Sequence, residues 1–255
     1  MIEITDLRKS FDDKTVLRGI TSTFEDGKTS LIIGRSGSGK TVLMKCIVGL
    51  LEPTSGDVVY DGRSFVHMSK RERTLLRREM GMIFQSAALF DSKTVLENVM
   101  FPLDMFSDDT LRGRTDRAMA CLDRVGLADA AAKYPGEISG GMQKRVAIAR
   151  AVAPSPRYLF CDEPNSGLDP KTSLVIDELI HSITAEYGIT TIVNTHDMNS
   201  VVSIGDHILL LHQGQPEWQG TKDQVLDSKN ENLSSFIFAS DLFRQMAEDM
   251  RQKRK

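Results

Sequence analysis

The feature that most constrains this chain is the stretch Ser30–Leu50, SLIIGRSGSGKTVLMKCIVGL. It begins with an apolar run that predicts a strand, passes through a Gly/Ser-rich loop, and continues with apolar residues at helical spacing. The loop, Gly34–Thr41, matches G-x-x-x-x-G-K-[ST] between strand and helix, which is typical of a phosphate-binding loop. Its glycines let successive N–H groups point at one anion, and the helix start adds a positive dipole end. The stretch therefore predicts a nucleotide site in which Lys40 contacts the β- and γ-phosphates and the Thr41 hydroxyl holds Mg²⁺.

Composition narrows the class of protein around this loop. The chain has 255 residues, 40% of them hydrophobic, which is enough for one large or two small globular domains. A net charge of −3 and a pI near 6.0 give no overall cationic field, so we expect no nucleic acid among its partners. No apolar run approaches the ~20 residues that span a bilayer, and the N-terminus lacks a signal-peptide layout. The widely spaced Cys46, Cys121 and Cys161 predict core positions in a reduced compartment.

The order of apolar segments predicts an α/β fold. Residues 2–24 alternate as β-strands do, with a turn at Asp12-Asp13. Beyond the phosphate loop, short apolar strands alternate with helical segments, which predicts a mainly parallel sheet with helices on its faces. These predicted strands are 57–60, 80–84, 158–161, 190–193 and 208–211, and the predicted helices include 40–50, 171–186 and 197–204. A hairpin arm over 214–220 is expected to close the sheet.

Residues 86–153 differ from the rest in their periodicity. Apolar side chains recur there at spacings of three and four without an alternating stretch, so we expect an inserted all-helical subdomain. A separate short basic helix is predicted to begin at Ser69, where Ser69 and Glu72 form a capping-box pattern. Its arginines could contact nucleic acid or membrane, but so few charges are more typical of a solvated helix face.

Polar residues at three predicted strand ends supply the other parts of a phosphoryl-transfer site. Asp162 ends one apolar strand and is placed to hold Mg²⁺ through water, while Glu163 can polarise the attacking water. Gln85 ends a second strand and can contact the metal or the water. His196 follows a third and can bond the γ-phosphate and orient the water. Because ligands of open α/β sheets bind at the carboxyl ends of the strands, we expect these side chains to meet.

Six motifs in order give the chain a resemblance to ABC-transporter ATPase subunits, covering residues 1 to about 225. The motifs are Gly34–Thr41, Gln85, Ile138–Met142, Tyr158–Glu163, Ser166–Asp169 and His196. The resemblance implies a P-loop NTPase (RecA-like) α/β fold with a mixed, mainly parallel sheet, an antiparallel β arm and the inserted helical subdomain. It divides the chain into a nucleotide-binding core (1–85 and 154–225), a helical subdomain (86–153) that ends in the signature helix, and a C-terminal helical basic tail (226–255).

The same resemblance implies a role for each matched residue. Glu163 and His196 form the catalytic pair, and Asp169 lies in the D-loop. The implied ATP-binding residues are Phe11, Gly34, Arg35, Ser36, Gly37, Ser38, Gly39, Lys40, Thr41 and Gln85. The implied metal ligands are Thr41, Gln85 and, through water, Asp162, so ATP and Mg²⁺ are expected. Phe11 stands where the family places an aromatic residue on adenine, with a core phenylalanine as an equal alternative.

The signature segment departs from the family at one position. ABC ATPases usually carry LSGGQ, whereas this chain has Ile138-Ser139-Gly140-Gly141-Met142. Ser139, Gly140 and Gly141 keep the hydroxyl and N–H groups that meet phosphate at a helix start, while Met142 gives up a polar side chain. In the family these residues contact the ATP of the partner subunit. The resemblance therefore implies a head-to-tail dimer with two ATP at its interface, most simply a homodimer.

Motif details inside the family suggest a cargo. Residues 139–142, 81–103 and 162–170 look most like the Mla/MCE-associated ATPases, which serve phospholipid trafficking in the bacterial envelope. This implies a separate transmembrane permease docked on the helical subdomain, an MCE-type lipid-binding protein, and a peripheral place at the cytoplasmic face of the inner membrane. The alternatives are an importer of another small substrate such as an amino acid, and a soluble ABC-type ATPase acting on nucleic acid or the ribosome. A GTPase is disfavoured because the chain lacks an N-K-x-D guanine motif.

The C-terminal tail carries an apolar stripe before a basic end. The stripe comprises Leu233, Phe236, Ile237, Phe243, Met246 and Met250, and the chain ends with residues 251–255, RQKRK. One prediction is a helix packed on its own subunit. The alternatives are a contact with the second ATPase subunit and a contact with anionic lipid.

Overall fold

The computed structural model describes residues 1–225 and 227–237; Phe243, Met246, Met250 and the basic end of the tail lie outside the described residues. The strands are β1 (Ile2–Phe11), β2 (Lys14–Phe24), β3 (Thr29–Ile33), β4 (Ser55–Tyr60), β5 (Arg63–Ser64), β6 (Met80–Ile83), β7 (Tyr158–Asp162), β8 (Thr190–Asn194), β9 (His207–His212) and β10 (Gln215–Gly220). The helices are α1 (Lys40–Ile47), α2 (Lys70–Arg78), α3 (Val95–Phe106), α4 (Leu111–Arg124), α5 (Gly140–Val152), α6 (Pro170–Tyr187), α7 (Met198–Ile204), α8 (Lys222–Val225) and α9 (Glu231–Ile237).

The larger sheet of the described chain has the strand order β10-β9-β3-β8-β7-β6. Its neighbours pair in parallel from β9 to β6, and β10 pairs antiparallel with β9 as the predicted closing hairpin. β3 and β8 are buried along their whole length, which accounts for their continuous rather than alternating apolar pattern. Parallel strands share a carboxyl edge, so β3, β7 and β8 end side by side, with Asp162 opposite Asn194. The predicted mainly parallel α/β fold is confirmed.

A second, antiparallel sheet forms the predicted β arm. Its strand order is β2-β1-β4-β5. Helix α1 lies between this arm and the larger sheet, and its Leu43, Met44 and Ile47 are buried in a core shared with both sheets. Full burial of each such side chain contributes ~1.5–3 kcal/mol. The helix that follows the phosphate loop is therefore held from two sides, which fixes the loop in front of it.

Residues 86–153 contain α3, α4 and α5, together with two short 3₁₀ turns. Their apolar faces meet in a core that includes Val99, Leu122 and Ile148 and continues beneath the larger sheet. A capping box at Thr94 starts α3, which agrees with the helical start that the periodicity indicates. The segment has the helical character expected from its spacing, while its separation from the core as a subdomain stays a prediction.

The end of α1 differs from the sequence expectation. Apolar spacing predicts a helix through Leu50, but α1 stops at Ile47. Gly49 takes a φ of +72°, and the N–H of Leu50 returns to the carbonyl of Lys45. This left-handed termination outweighs the continuing apolar pattern. The capping box predicted at Ser69 is present and begins α2.

The last described helix packs on its own chain. Leu233 and Ile237 of α9 are buried in the core beneath the larger sheet, which agrees with the first of the three predictions for the tail. Cys46 and Cys161 are buried and Cys121 is half-buried, and all three are free thiols. No described helix is both long and apolar enough to cross a membrane.

Candidate active site

The phosphate loop is a tight turn that depends on its glycines. Gly34, Gly37 and Gly39 all have positive φ, at +149°, +78° and +107°. At Gly39 an added Cβ would lie 2.9 Å from a methyl group of Leu17, and at Gly34 it would collide with the carbonyl oxygen of Leu211. The loop is pinned from outside by the Gly214 N–H, which donates to the Ser38 carbonyl at 3.1 Å. Neighbouring strands thus impose a backbone that only glycine adopts without strain.

Lys40 is folded back over the loop. Its Nζ donates to the Gly34 carbonyl at 2.8 Å and lies 3.4 Å from the Arg35 carbonyl. Burial lowers the pKa of Lys40, and the Glu163 and Asp162 carboxylates oppose that shift. A buried ammonium that carries only carbonyl partners favours an incoming anion. No side chain in the described residues caps the start of α1. The first N–H groups of this helix therefore have no side-chain partner, and they can bind the same anion as Lys40.

The carboxyl ends of β7 and β8 are tied together beside this loop. The Asn194 side chain donates to Asp162 Oδ1 at 3.0 Å, and the Glu163 N–H donates to the Asn194 carbonyl at 2.9 Å. Glu163 has a φ of +48°, which is costly for a residue other than glycine and is typical of functional sites. His196 Nδ1 lies 3.2 Å from Glu163 Oε1. The two residues predicted as the catalytic pair are therefore in direct contact.

A cavity of about 970 Å³ opens over the phosphate loop. Glu163 and His196 line it together with most of loop 34–42, as the sequence predicts. Its apolar wall comes from Val16, Met198 and the last residues of α9, Ser235–Ile237. The sequence did not predict that these residues line the cavity, because only the tertiary fold brings β2, α7 and α9 to the loop. Arg35 reaches α9 directly, with its Nη2 3.4 Å from Ser235 Oγ.

Phe11 stands at the tip of the β arm, away from the cavity wall. Its ring is 41% exposed and carries the Lys9 ammonium 4.8 Å from its centroid. It is neither a core residue nor, within this chain, part of the cavity lining, which includes Val16 of the neighbouring strand β2. Adenine stacking on Phe11 stays a prediction.

Gln85 lies outside the cavity, on an exposed loop held by α5. Its side-chain Nε2 donates to Ser166 Oγ at 3.0 Å, and its carbonyl accepts a hydrogen bond from the buried Lys144 ammonium. Arg150 donates to the carbonyls of Ala87 and Ala88 at 2.8 and 2.6 Å. The sequence signal for this clamp was the presence of basic residues, among them Lys144 and Arg150, between apolar residues of α5. We infer that α5 fixes the position of the Gln85 loop.

The signature segment lies outside the cavity over the chain's own phosphate loop. Ser139 begins α5 as its N-cap, accepting from the Met142 N–H at 3.3 Å. Gly140 is exposed, and an added Cβ there would meet no atom of this chain within 4 Å. Met142 is half-buried against the helical core, and Gln143 donates instead to the Pro135 carbonyl at 2.9 Å. None of the residues 139–142 lines the described cavity.

Asp169 serves a local role as the N-cap of α6. Its carboxylate accepts from the Thr172 N–H at 3.0 Å and from the Thr172 hydroxyl at 2.5 Å. These hydrogen bonds lower the pKa of Asp169. The segment between Glu163 and Asp169 is thus fixed at both ends.

Comparison with known proteins decides the family. The family model for the ABC transporter ATP-binding domain matches residues 17–166, more than half of the chain. This chain is a member of the ABC transporter ATP-binding family, and it is an ATPase of that type.

Relatives and solved structures agree with this assignment. Methionine import ATP-binding protein MetN of Haemophilus influenzae is 39% identical over 242 residues, covering 93% of this chain and 70% of that protein. The probable ribonucleotide transport ATP-binding protein mkl of Mycobacterium tuberculosis is 35% identical over 236 residues, covering 92% and 66%. The dimeric structure of MJ0796, a bacterial ABC transporter cassette, matches with a TM-score of 0.79 at 33% identity, covering 87% of this chain and 99% of that one. The same cassette is known in a post-hydrolysis state with ADP and Pi, at a TM-score of 0.78.

These relatives are named for the transport of methionine and of ribonucleotides. The lipid cargo and the MCE-type partner suggested by the signature motif find no support in them. They fit the alternative prediction, an importer of a small substrate, better than phospholipid trafficking.

The site of this ABC ATPase suits ATP with Mg²⁺. Among the described residues no cluster of three or more His, Cys, Asp or Glu could hold a metal ion by itself. Mg²⁺ in nucleotide sites commonly uses one or two protein oxygens and takes its remaining ligands from phosphates and water. Thr41 and Asp162 offer such oxygens, and the buried Ser38 hydroxyl has no hydrogen-bond partner in the described chain. The donor set therefore fits a metal brought in with the nucleotide.

Proposed function

We propose that this chain hydrolyses ATP at the Gly34–Thr41 loop with Glu163 and His196 as its catalytic residues, and so powers a separate permease. The observation that carries the proposal is the 3.2 Å contact between His196 Nδ1 and Glu163 Oε1 at the mouth of the phosphate cavity. A base beside the γ-phosphate position accepts a proton from the attacking water, and a neighbouring imidazole can orient that water or bond the γ-phosphate.

Loop residues bind the phosphates in this scheme. The backbone N–H groups of Gly37 and Gly39–Thr41 would surround the anion, and Lys40 would exchange its two carbonyl partners for phosphate oxygens. Thr41 and, through water, Asp162 would hold Mg²⁺. Gln85, whose side chain donates to Ser166 outside the cavity, would become a further ligand once its loop moves toward the nucleotide. The metal supplies charge neutralisation on the phosphates. Asn194 holds Asp162 on the metal side of the site, while the Glu163 carboxylate, in contact with His196, would act as the base.

A second copy of the chain completes each site in the proposal. Ser139 and Gly140 are exposed at the start of α5 and do not line the chain's own cavity, so the Ser139 hydroxyl and the Gly140 N–H are available to another subunit. The structurally similar MJ0796 cassette is dimeric. We therefore propose a head-to-tail homodimer with an ATP held between the phosphate loop of one subunit and the signature segment of its partner.

A groove beside the Gln85 loop suits the permease. It measures about 280 Å³ and lies between β6 and the helical segment, with Phe84, Phe90, Phe101 and Pro102 in its lining. Phe84 and Phe90 are each 41% exposed, so a short apolar helix of a permease would bury them. Arg150 lines the groove and also holds the Gln85 loop, which would link docking to the ATP site. Such docking would place the chain at the membrane through the permease.

For the cargo, we propose import of a small polar solute of the amino-acid class. The support is the 39% identity to a protein named for methionine import. A relative named for ribonucleotide transport is 35% identical, so cassette identity discriminates cargoes weakly, and the permease is the chain that contacts cargo. Phospholipid trafficking is the second candidate, favoured by Met142 in the signature and by residues 81–103.

The cargo proposal is tested on the chain purified together with its permease and reconstituted in nanodiscs. Stimulation of ATP hydrolysis by L-methionine or another amino acid, supplied with its binding protein, supports the importer. Stimulation by phospholipid composition alone, with no response to amino acids, would replace it with lipid trafficking.

The catalytic proposal is tested with Glu163→Gln. The variant keeps the size of the side chain and removes the base, so hydrolysis should fall by at least ~100-fold while ATP binding is retained. Steady-state phosphate release and equilibrium binding of ATP give the two readouts, and Glu178→Gln on the exposed face of α6 is the control. Hydrolysis at the wild-type rate in Glu163→Gln would assign the base elsewhere.

A further inference from the structure

Beneath the catalytic pair, three polar side chains from three segments meet in the protein interior. Asp177 accepts from Asn165 Nδ2 at 2.7 Å through one carboxylate oxygen and from Ser200 Oγ at 2.7 Å through the other. Asn165 and Ser200 also contact each other at 3.3 Å. Their exposures are 1% for Asp177, 9% for Asn165 and 0% for Ser200. We call these residues the Asp177 cluster.

The cluster connects the chain segments that carry the two catalytic residues. Asn165 comes two residues after Glu163, and Ser200 comes four residues after His196, in the first turn of α7. Asp177 lies two turns into α6, the longest described helix, whose start is fixed by its own N-cap. One carboxylate on a rigid helix therefore holds both segments, each through one hydrogen bond.

Stability alone does not account for a carboxylate at this place. Burial is the main cause that raises the pKa of Asp177 to about 6; the hydrogen bonds from Ser200 and Asn165 oppose this rise, and the carboxyl groups of Asp197 and Glu178 add to it. The buried thiol of Cys161 on β7 is also affected, because the Asp177 carboxylate raises the pKa of that thiol in addition to its burial. The Asn165 amide oxygen is buried without a hydrogen-bond partner in the described chain. Three apolar side chains of the same volume would avoid the free-energy cost of burying a carboxylate and an unpaired amide oxygen. We therefore infer that the polar contacts fix the relative position of the three segments rather than stabilise the core.

We propose that Asp177 is a positioning residue that sets the separation of Glu163 and His196 by holding Asn165 and Ser200. This inference rests on the proposed function, because it matters for hydrolysis only if that pair acts on ATP. Loss of either hydrogen bond frees one segment to shift against the other. A misplacement of about 1 Å at a reacting centre can cost ~100-fold in rate.

The test uses the full chain and two truncations, Ser200→Ala and Asp177→Ala. Ser200→Ala should lower kcat by about 5- to 10-fold and Asp177→Ala by about 10- to 100-fold, since one or both hydrogen bonds are lost. KM for ATP should stay within about twofold, because the phosphate loop is untouched. The controls are Ser203→Ala, whose hydroxyl bonds only to carbonyls of its own helix, and Glu178→Ala on the exposed face of α6. Both controls should hydrolyse ATP at the wild-type rate.

Asp177→Asn separates geometry from charge and guards against loss of fold. Its amide can still accept from Asn165 and donate to Ser200, so kcat should return to within about threefold of wild type. Rates are compared only at temperatures at which thermal melts show each variant folded. If Asp177→Asn fails as far as Asp177→Ala, or if both truncations keep the wild-type kcat, the positioning role is wrong and the cluster is only structural.

A readout without turnover separates this inference from the proposed function. The ring proton resonances of His196, assigned with His196→Ala, report its contact with Glu163 in the nucleotide-free chain. They should shift in Ser200→Ala and Asp177→Ala and stay unchanged in Ser203→Ala and Glu178→Ala. Unchanged resonances in all four variants would overturn the positioning role. A wild-type chain that shows this pattern but hydrolyses no ATP with its permease would instead overturn the proposed function.

Discussion

At the scale of single residues, the site contains two unfavourable features, a buried ammonium group and a left-handed backbone at a residue other than glycine. Burial lowers the pKa of Lys40, whose ammonium has carbonyl partners, and Glu163 adopts a left-handed backbone at φ +48°. Each cost is met by neighbouring structure: the loop carbonyls satisfy the ammonium, and the Asn194 carbonyl accepts the Glu163 N–H. Such preorganisation is what an anionic transition state needs.

Lys40→Ala tests this at the phosphate loop. The variant loses a charge-assisted contact worth ~1.5–3 kcal/mol, so Kd for ATP should rise by roughly 10- to 150-fold. Isothermal titration calorimetry with ATP and Mg²⁺ measures the change. Lys45→Ala, an exposed lysine of the same helix, is the control and should bind as the wild type does. Equal affinity in the two variants would remove Lys40 from the phosphate site.

At the scale of elements, helices act as rigid supports for loops that do the chemistry. α1 is fixed between two sheets, α5 holds the Gln85 loop through Lys144 and Arg150, and α6 holds two catalytic segments through Asp177. Apolar side chains hold α1, whereas in α5 and α6 a charged side chain projects from a packed helix to a loop backbone or to neighbouring side chains. The loops therefore take their positions from the cores of other elements.

The pH dependence of stability should reveal the carboxylate in α6. The pKa of Asp177 in the folded chain is about 6, against an ordinary value of 3.8, so the folded state binds more protons between these values. Its ionisation therefore lowers the free energy of unfolding as pH rises, by about 1–2 kcal/mol between pH 5 and pH 8. Asp177→Asn lacks this ionisation. Its stability relative to wild type, from urea unfolding, should increase by that amount between the two pH values, and a pH-independent difference would contradict the raised pKa.

At the scale of the whole molecule, one chain holds two half-sites that face different ways. The phosphate loop, Glu163 and His196 line one cavity, while Ser139–Met142 lie at a helix start outside it. In the proposed homodimer, a twofold axis would bring each half-site to the other. ATP bound at the interface would then stabilise the dimer, and hydrolysis of the ATP would let the subunits separate.

Gly140 allows this arrangement to be tested without disturbing the monomer. Glu163→Gln should form an ATP-dependent dimer, measured by light scattering after size exclusion. Adding Gly140→Trp should abolish the dimer, because the new side chain enters space that is open in one chain and would be filled by the partner's nucleotide. The control is Gly113→Trp in α4, where an added Cβ makes only ordinary contacts at 3.6 Å. A dimer that persists in the Gly140→Trp background would place the interface elsewhere.

Sequence patterns sufficed for features that depend on local or strictly ordered information. The phosphate loop, the order of strands and helices, and the strand-end positions of Asp162, Glu163 and His196 all follow from motif spacing and periodicity. In a parallel sheet, strand order and direction leave one common edge for such residues, so their meeting was predictable. Two expectations fared less well. The local termination at Gly49 ends α1 earlier than its apolar pattern indicates, and the lipid cargo finds no support in the relatives compared.

Only the tertiary structure decided which remote residues complete and support the site. Val16 and α9 line the cavity, Lys144 and Arg150 hold the Gln85 loop, and Asp177 joins Asn165 to Ser200. These contacts join residues far apart in the chain, and neither periodicity nor a short motif encodes a distance of that kind. The sequence by itself determined that this protein binds nucleotide phosphates as part of an ABC cassette. Packing decided what fixes its catalytic pair, because those positions depend on how separate elements meet.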